Sequence, residues 1–128
     1  MSIEKEKFEG KTILVVEDDT TNRTLLKEIL KNKGIDIQFA KTGEEALIFF
    51  ENNKIPNLVL MDIRLPDISG IDLTKQILTK YPDALIVAQT AFATPDVEEE
   101  CYSIGMKAFI TKPLNTQIIE RILDKLAW

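Results

Sequence analysis

From Lys11 onward the chain alternates short apolar runs with longer stretches whose apolar residues recur every three or four positions. The short runs are Ile13–Val16, Ile35–Ala40, Leu58–Met61, Leu85–Ala88 and Ala108–Ile110. Their length and β-branched content predict strands. Between them lie helical patterns. Leu25, Leu26, Ile29 and Leu30 form one stripe, with Gly34 placed to end that helix. Thr42 and Glu45 form a capping box ahead of Ala46, Leu47, Phe49 and Phe50. Ser69 is the expected cap for a third helix carrying Leu73, Ile77 and Leu78, and Thr94–Pro95 for a fourth that Gly105 closes. A fifth starts near Asn115 and carries Ile118, Ile119, Ile122, Leu123 and Leu126. Strand–helix units with short connections predict an α/β domain, a parallel sheet covered on both faces with right-handed crossovers. Residues 2–9 are charged and aperiodic, with Phe8 the one candidate contact to the body. The expected boundaries are a tail or linker remnant over residues 1–10 and one domain over 11–128.

Composition narrows the chemistry. With 45% apolar and 29% charged residues the chain is ordinary for a globular domain. A net charge of −5, from 21 acids and 16 bases, argues against a direct nucleic-acid binder. No apolar run approaches a membrane span, and the first ten residues lack the apolar core of a signal peptide. Cys101 is alone, which rules out an internal disulfide and fits a reducing cytoplasm. There is no histidine, which removes Ser-His-Asp and Cys-His catalysis and His-containing zinc sites. Chemistry must rest on carboxylates, lysine, arginine and hydroxyls.

The first apolar run ends in Glu17, Asp18 and Asp19. Like charges this close repel and raise one another's pKa, so a partner is required. In an open parallel sheet, ligands bind at the carboxyl ends of the strands. Glu17 and Asp18 follow the first run, Asp62 the third, Thr90 the fourth and Lys112 the fifth. Three hard carboxylates suit Mg²⁺, with Mn²⁺ as a substitute. Lys112 and Thr90 suit a phosphoryl group, and a carboxylate between them can act as nucleophile in its transfer. Taken singly, each residue reads as structural: Asp18 or Asp19 as a helix cap, Lys112 as a solvated lysine, Thr90 as a turn residue. Their joint placement on four strands at one edge is what points to a site.

Glu17-Asp18, Asp62, Thr90-Ala91 and Lys112-Pro113, in that order, resemble the signature of the response-regulator receiver domain of two-component signalling. The resemblance spans about Lys11 to Leu126. It implies a single (βα)5 doubly wound, flavodoxin-like domain, with the five-stranded parallel sheet in order 2-1-3-4-5. It implies that Asp62 is the phosphoacceptor, taking its phosphoryl group from a histidine on a kinase or phosphotransfer protein. Asp18 and Asp62 would ligate Mg²⁺ directly, Glu17 through water, and Arg64 through its backbone carbonyl. Thr90, Lys112 and the Ala91 amide would bind phosphate oxygens, and Phe109 would be the aromatic switch working with Thr90. The Lys112–Pro113 bond would be cis. The implied output face is the fourth helix, fifth strand and fifth helix, around Tyr102 and Phe109, with a phosphorylation-dependent dimer as one outcome. Asn22 and Arg23 would meet the phosphodonor. The chain departs from the family in having Glu17 where Asp is frequent, Ser69 before Gly70, and Phe109 in place of Tyr.

Two other readings stand beside this one. An aspartyl-nucleophile phosphohydrolase uses similar carboxylates but usually carries a second acid two residues after the nucleophile, where this chain has Arg64. A binding-only pseudo-receiver would take no phosphate, against which stand the intact Asp62, Thr90 and Lys112. The stretch from Phe8 to Arg23 also resembles the lead-in of hybrid histidine kinases.

Overall fold

In the computed structural model, which describes residues 8–31, 33–52 and 55–126, every apolar run becomes a strand. These are β1 (Thr12–Val16), β2 (Asp36–Ala40), β3 (Leu58–Asp62), β4 (Ile86–Thr90) and β5 (Ala108–Thr111). The helices are α1 (Thr20–Leu30), α2 (Gly43–Asn52), α3 (Gly70–Lys80), α4 (Pro95–Ser103) and α5 (Thr116–Lys125). The strands form one parallel sheet in the order β2-β1-β3-β4-β5, as expected. The centre holds the strands that are covered throughout: β3 and β4 are buried at every position, whereas β2, at an edge, alternates exposed and covered residues. A strand covered on both faces reads as a continuous apolar run, and an edge strand does not.

Two cores follow from the alternation of side chains along each strand. On one face Ile13, Val15, Leu58, Leu60, Val87, Ala108 and Ile110 pack with Leu26 and Leu30 of α1 and Ile119 and Leu123 of α5. On the other, Leu14, Val16, Val59, Met61, Ile86 and Ala88 pack with Ala46 and Phe50 of α2, Leu73 and Ile77 of α3 and Cys101 of α4. Truncating a side chain such as Leu60 to Ala would cost about 2–5 kcal/mol. Phe8, within the expected tail, is buried in the α1/α5 core, and its carbonyl accepts from the Lys11 amide at 3.1 Å. Residues 1–7 of that tail lie outside the described residues.

The capping signals hold with two adjustments. Ser69, Thr94 and Asn115 cap α3, α4 and α5 through side-chain oxygens. Gly105, at φ 109°, ends α4 in paired bonds from Gly105 N to Tyr102 O and Met106 N to Cys101 O, both 3.1 Å, the six-to-one and five-to-two pattern of a left-handed helix end. Gly34 does not close α1 as expected. That helix stops at Leu30, and Gly34, at φ 77°, turns the chain into β2 several residues later. The capping box at α2 is shifted: Thr42 Oγ1 accepts from Glu45 N at 3.0 Å, but Glu45 Oε1 reaches back to Lys41 N at 2.9 Å. Strand ends also move. β2 starts at Asp36 rather than Ile35, β4 runs Ile86–Thr90 rather than 85–88, and Asp62 and Thr90 are terminal strand residues rather than loop residues. Ladder bonds continue past the apolar run wherever a neighbouring strand still offers a partner; Asp62 pairs in register with Gln89, and Thr90 with Thr111.

The sheet order reverses direction at β1: the chain goes out to β2, then crosses back to β3. The carboxyl ends of β1 and β3 therefore flank a crevice, the ligand position of doubly wound sheets. No helix among the described residues is long and apolar enough to cross a membrane.

Candidate phosphoacceptor and cation site

The loop after β1 sorts the three acids that end its apolar run. Asp19 turns away from the cluster and caps α1, its Oδ2 accepting from Asn22 N at 2.9 Å. Glu17 is fully buried and Asp18 exposed. Glu17 N is tied to Ala40 O of β2 at 2.9 Å, and its Oε2 accepts from Asp19 N at 3.1 Å. Carboxylate oxygens of Glu17, Asp18 and Asp62 all lie within 4.8 Å of one another. Octahedral Mg²⁺, with metal–oxygen distances of about 2.0–2.1 Å, sets ligand oxygens about 3–4 Å apart, so this donor set fits such an ion after small side-chain rotations. Asp18 has no hydrogen-bond or ion-pair partner among the described residues, which leaves its oxygens available.

Lys112 supplies the compensating charge within the chain. It follows β5 directly, and its Nζ lies 2.5 Å from Glu17 Oε1 and 3.0 Å from Asp62 Oδ2. Burial alone would lower the lysine's pKa, but the Glu17 and Asp62 carboxylates outweigh it and hold the ammonium above its ordinary value. Burial pushes the Glu17 carboxyl up, the Lys112 ammonium opposes that, and the Asp62 carboxylate adds to it. One ammonium against three carboxylates leaves a deficit of positive charge, the electrostatic condition a divalent cation relieves.

Asp62 is itself buried, and its Oδ1 accepts from the Arg64 amide at 3.0 Å. Its backbone is pinned by α3: a Cβ at Gly70 would collide with the Asp62 carbonyl oxygen, and Gly70 N donates to Ile63 O at 2.8 Å. Only glycine allows the helix start to press this closely on the strand end. Thr90, also buried, turns its Oγ1 to the Phe92 amide at 3.0 Å. Ala91 is exposed beside it, and Phe109 is half-buried against the α2/α3/α4 core. The Lys112–Pro113 peptide is cis. The Arg64 guanidinium stacks on the Phe92 ring, 3.7 Å from its centroid, so these two side chains link the loops after β3 and β4.

The structure thus brings Glu17, Asp18, Asp62 and Lys112 together and sets Thr90 on the neighbouring strand end. Two contacts escaped the sequence reading, in which Arg23 figured only as meeting the phosphodonor. Arg23 bonds back to the β1–α1 loop, Nη1 to Glu17 O and Nη2 to Thr20 Oγ1, each at 3.0 Å. Asp67, in the β3–α3 loop, accepts from Gly43 N and Glu44 N at 2.9 and 3.0 Å and so caps α2 from outside. The i, i+3 spacing from Thr20 to Arg23 was a visible signal for the first; nothing local signals the second.

Comparison with known proteins shows the family. Residues 13–124 match the response regulator receiver domain family. The chain is 33% identical over 119 residues to the chemotaxis protein CheY of Thermotoga maritima, covering 92% of this chain and 98% of that protein. It is 32% identical over 108 residues to a cyclic di-GMP phosphodiesterase of the same organism, covering 84% of this chain but spanning only 28% of that protein's length. Among solved structures, it superposes on the receiver domain of the sensor histidine kinase PA1611 from Pseudomonas aeruginosa PAO1, described with a magnesium ion coordinated in the active site cleft. The TM-score is 0.80 at 30% identity, covering 91% of this chain and 96% of that one. With carboxylates, hydroxyl and lysine gathered at the carboxyl edge of a 2-1-3-4-5 sheet, and with the family match running through all of them, the chain belongs to the response regulator receiver domain family, a signalling domain of two-component systems.

Proposed function

We propose that Asp62 accepts a phosphoryl group from a histidine of a partner kinase or phosphotransfer protein, and that the resulting charge shifts the domain between two conformations read by an output partner. The observation that carries this reading is the contact of Lys112 Nζ with Asp62 Oδ2 beside the paired acids Glu17 and Asp18. An Asp62 oxygen attacks phosphorus, the phosphorus–oxygen bond forms, and the phosphorus–nitrogen bond to the donor imidazole breaks with its electron pair going to nitrogen. Lys112 then pairs with a phosphoryl oxygen, and the Thr90 hydroxyl and Ala91 amide donate to the others. Asp18 and Asp62 would hold Mg²⁺, or Mn²⁺ in its place, with Glu17 acting through water and the Arg64 carbonyl adding an oxygen. The bound ion supplies neutralisation of phosphoryl charge. These residues make the domain a partial catalyst of its own phosphorylation and dephosphorylation rather than an enzyme acting on a separate substrate.

Rotation of Thr90 toward the phosphoryl group would draw Phe109 inward and alter the face of α4, β5 and α5, the proposed surface for an output partner or a second copy. The family's link to histidine kinases and output domains supports this assignment.

Asp62→Asn keeps shape and removes the nucleophile. Incubated with acetyl phosphate and Mg²⁺, the wild type should gain one phosphoryl mass and the variant none. A phosphoryl gain of equal extent in Asp62→Asn would move the acceptor to another residue.

A further inference from the structure

We propose that Arg23 is a positioning residue for the cation site. Its guanidinium clamps the two ends of the loop that carries Asp18, and it acts on the ion only through that loop. The proposal rests on the reading of Glu17, Asp18 and Asp62 as the cation site.

Asp18 is the exposed member of the acid trio, and its side chain has no partner among the described residues. Its placement therefore depends on the backbone beneath it. That backbone is fixed at both sides. Glu17 is tied to β2 through its amide, and Asp19 is tied twice, by its amide to Glu17 Oε2 and by its carboxylate to Asn22 N. Arg23 closes the frame: from the first turn of α1, one guanidinium nitrogen reaches the Glu17 carbonyl and the other the Thr20 hydroxyl, both at 3.0 Å. A planar fork with two donors at fixed separation suits such a bridge, and a lysine ammonium on a flexible stem does not replace it.

The role is separable from charge by sign. A cation near a divalent-ion site opposes ion binding. If charge were all that mattered, removing it would tighten Mg²⁺. Positioning requires the opposite, because a loosened loop costs order each time the ion binds.

The experiment is calorimetric titration of the whole chain with Mg²⁺ alone, for wild type, Arg23→Gln, Arg23→Lys and Asp18→Ala, with melting temperature measured without Mg²⁺ on each. Arg23→Gln should weaken Mg²⁺ binding by about tenfold, a difference of about 1.4 kcal/mol. Arg23→Lys, which keeps the charge and reaches one acceptor, should fall between it and wild type. At saturating Mg²⁺, phosphorylation of both by acetyl phosphate should return toward the wild-type extent. Unchanged or tighter Mg²⁺ binding in Arg23→Gln overturns the proposal; should that variant not fold, unchanged binding in Arg23→Lys overturns it equally. Loss of binding in Asp18→Ala with none in the arginine variants overturns the positioning role alone. Full binding in Asp18→Ala overturns the cation site and the proposal together.

Discussion

Phe92 exposes 55% of its surface yet lies under the Arg64 guanidinium. A cation–π stack of this kind is worth about 0.5–1 kcal/mol at an exposed site, and if it frames the approach to Asp62 it limits the entry of water. Neither holds a water for in-line attack. Replacing Phe92 with Gln or Glu removes the apolar cover and supplies a group that can orient water, so autodephosphorylation should quicken by roughly tenfold, about 1.4 kcal/mol of barrier. Decay of phosphorylated protein in Mg²⁺ buffer, wild type beside variants, tests this, and equal or slower decay in both variants removes Phe92 from the gate. At this scale the sequence was legible wherever function sits at a strand end. Asp62, Thr90 and Lys112 could be found by counting past apolar runs. Which groups touch could not: the contact of Lys112 with Glu17 joins β1 to β5, and only the order of strands in space brings those ends together.

Among elements, the tie between α2 and the β3–α3 loop stands out because no local pattern encodes it. Thr42, Ser69, Thr94 and Asn115 cap helices two or three residues away and were readable as such. Asp67 caps α2 from 23 and 24 residues downstream. A Cβ at Gly43 would collide with Ile68 Cγ2, so any larger residue there requires the Ile68 side chain to shift. Removing the carboxylate with Asp67→Ala should cost about 1 kcal/mol, the scale of a lost helix cap. The Gly43 amide chiefly holds the Asp67 carboxyl below 3.8, with burial opposing and the Glu44 amide adding. A depressed carboxylate stabilises the fold above its unfolded pKa and loses that contribution as pH falls through its folded pKa. The stability gap between wild type and Asp67→Ala should therefore be full at neutral pH and close progressively below about pH 4, as measured by urea unfolding at each pH. A gap that persisted unchanged at pH 2 would assign the loss to packing rather than charge.

For the whole molecule, ion binding and stability should be one measurement. Among the described residues the fold gathers Glu17, Asp18 and Asp62 into a group able to hold a metal ion, and unfolding disperses it, so Mg²⁺ bound there should raise the melting temperature. At a concentration about 100 times its Kd the gain is about 2.7 kcal/mol. Asp18→Ala should abolish most of the rise, and a Mg²⁺ response that survives in that variant would place the ion elsewhere. The fold itself was readable because central parallel strands are apolar on both faces; the strand order was not, and came from resemblance, since side-chain periodicity carries no information about which strand lies beside which. A last consequence concerns Cys101, the single thiol, fully buried in α4 against the core. Burial, with Glu100 and Glu98 adding, raises its pKa, so the closed helix is a poor target for alkylating reagents. Labelling then requires α4 to lift from the sheet, and when reclosing outpaces reaction the labelling rate reports the free energy of that opening. The buried thiol thus serves as a built-in reporter of motions of α4, part of the proposed output face, and can be read with and without acetyl phosphate.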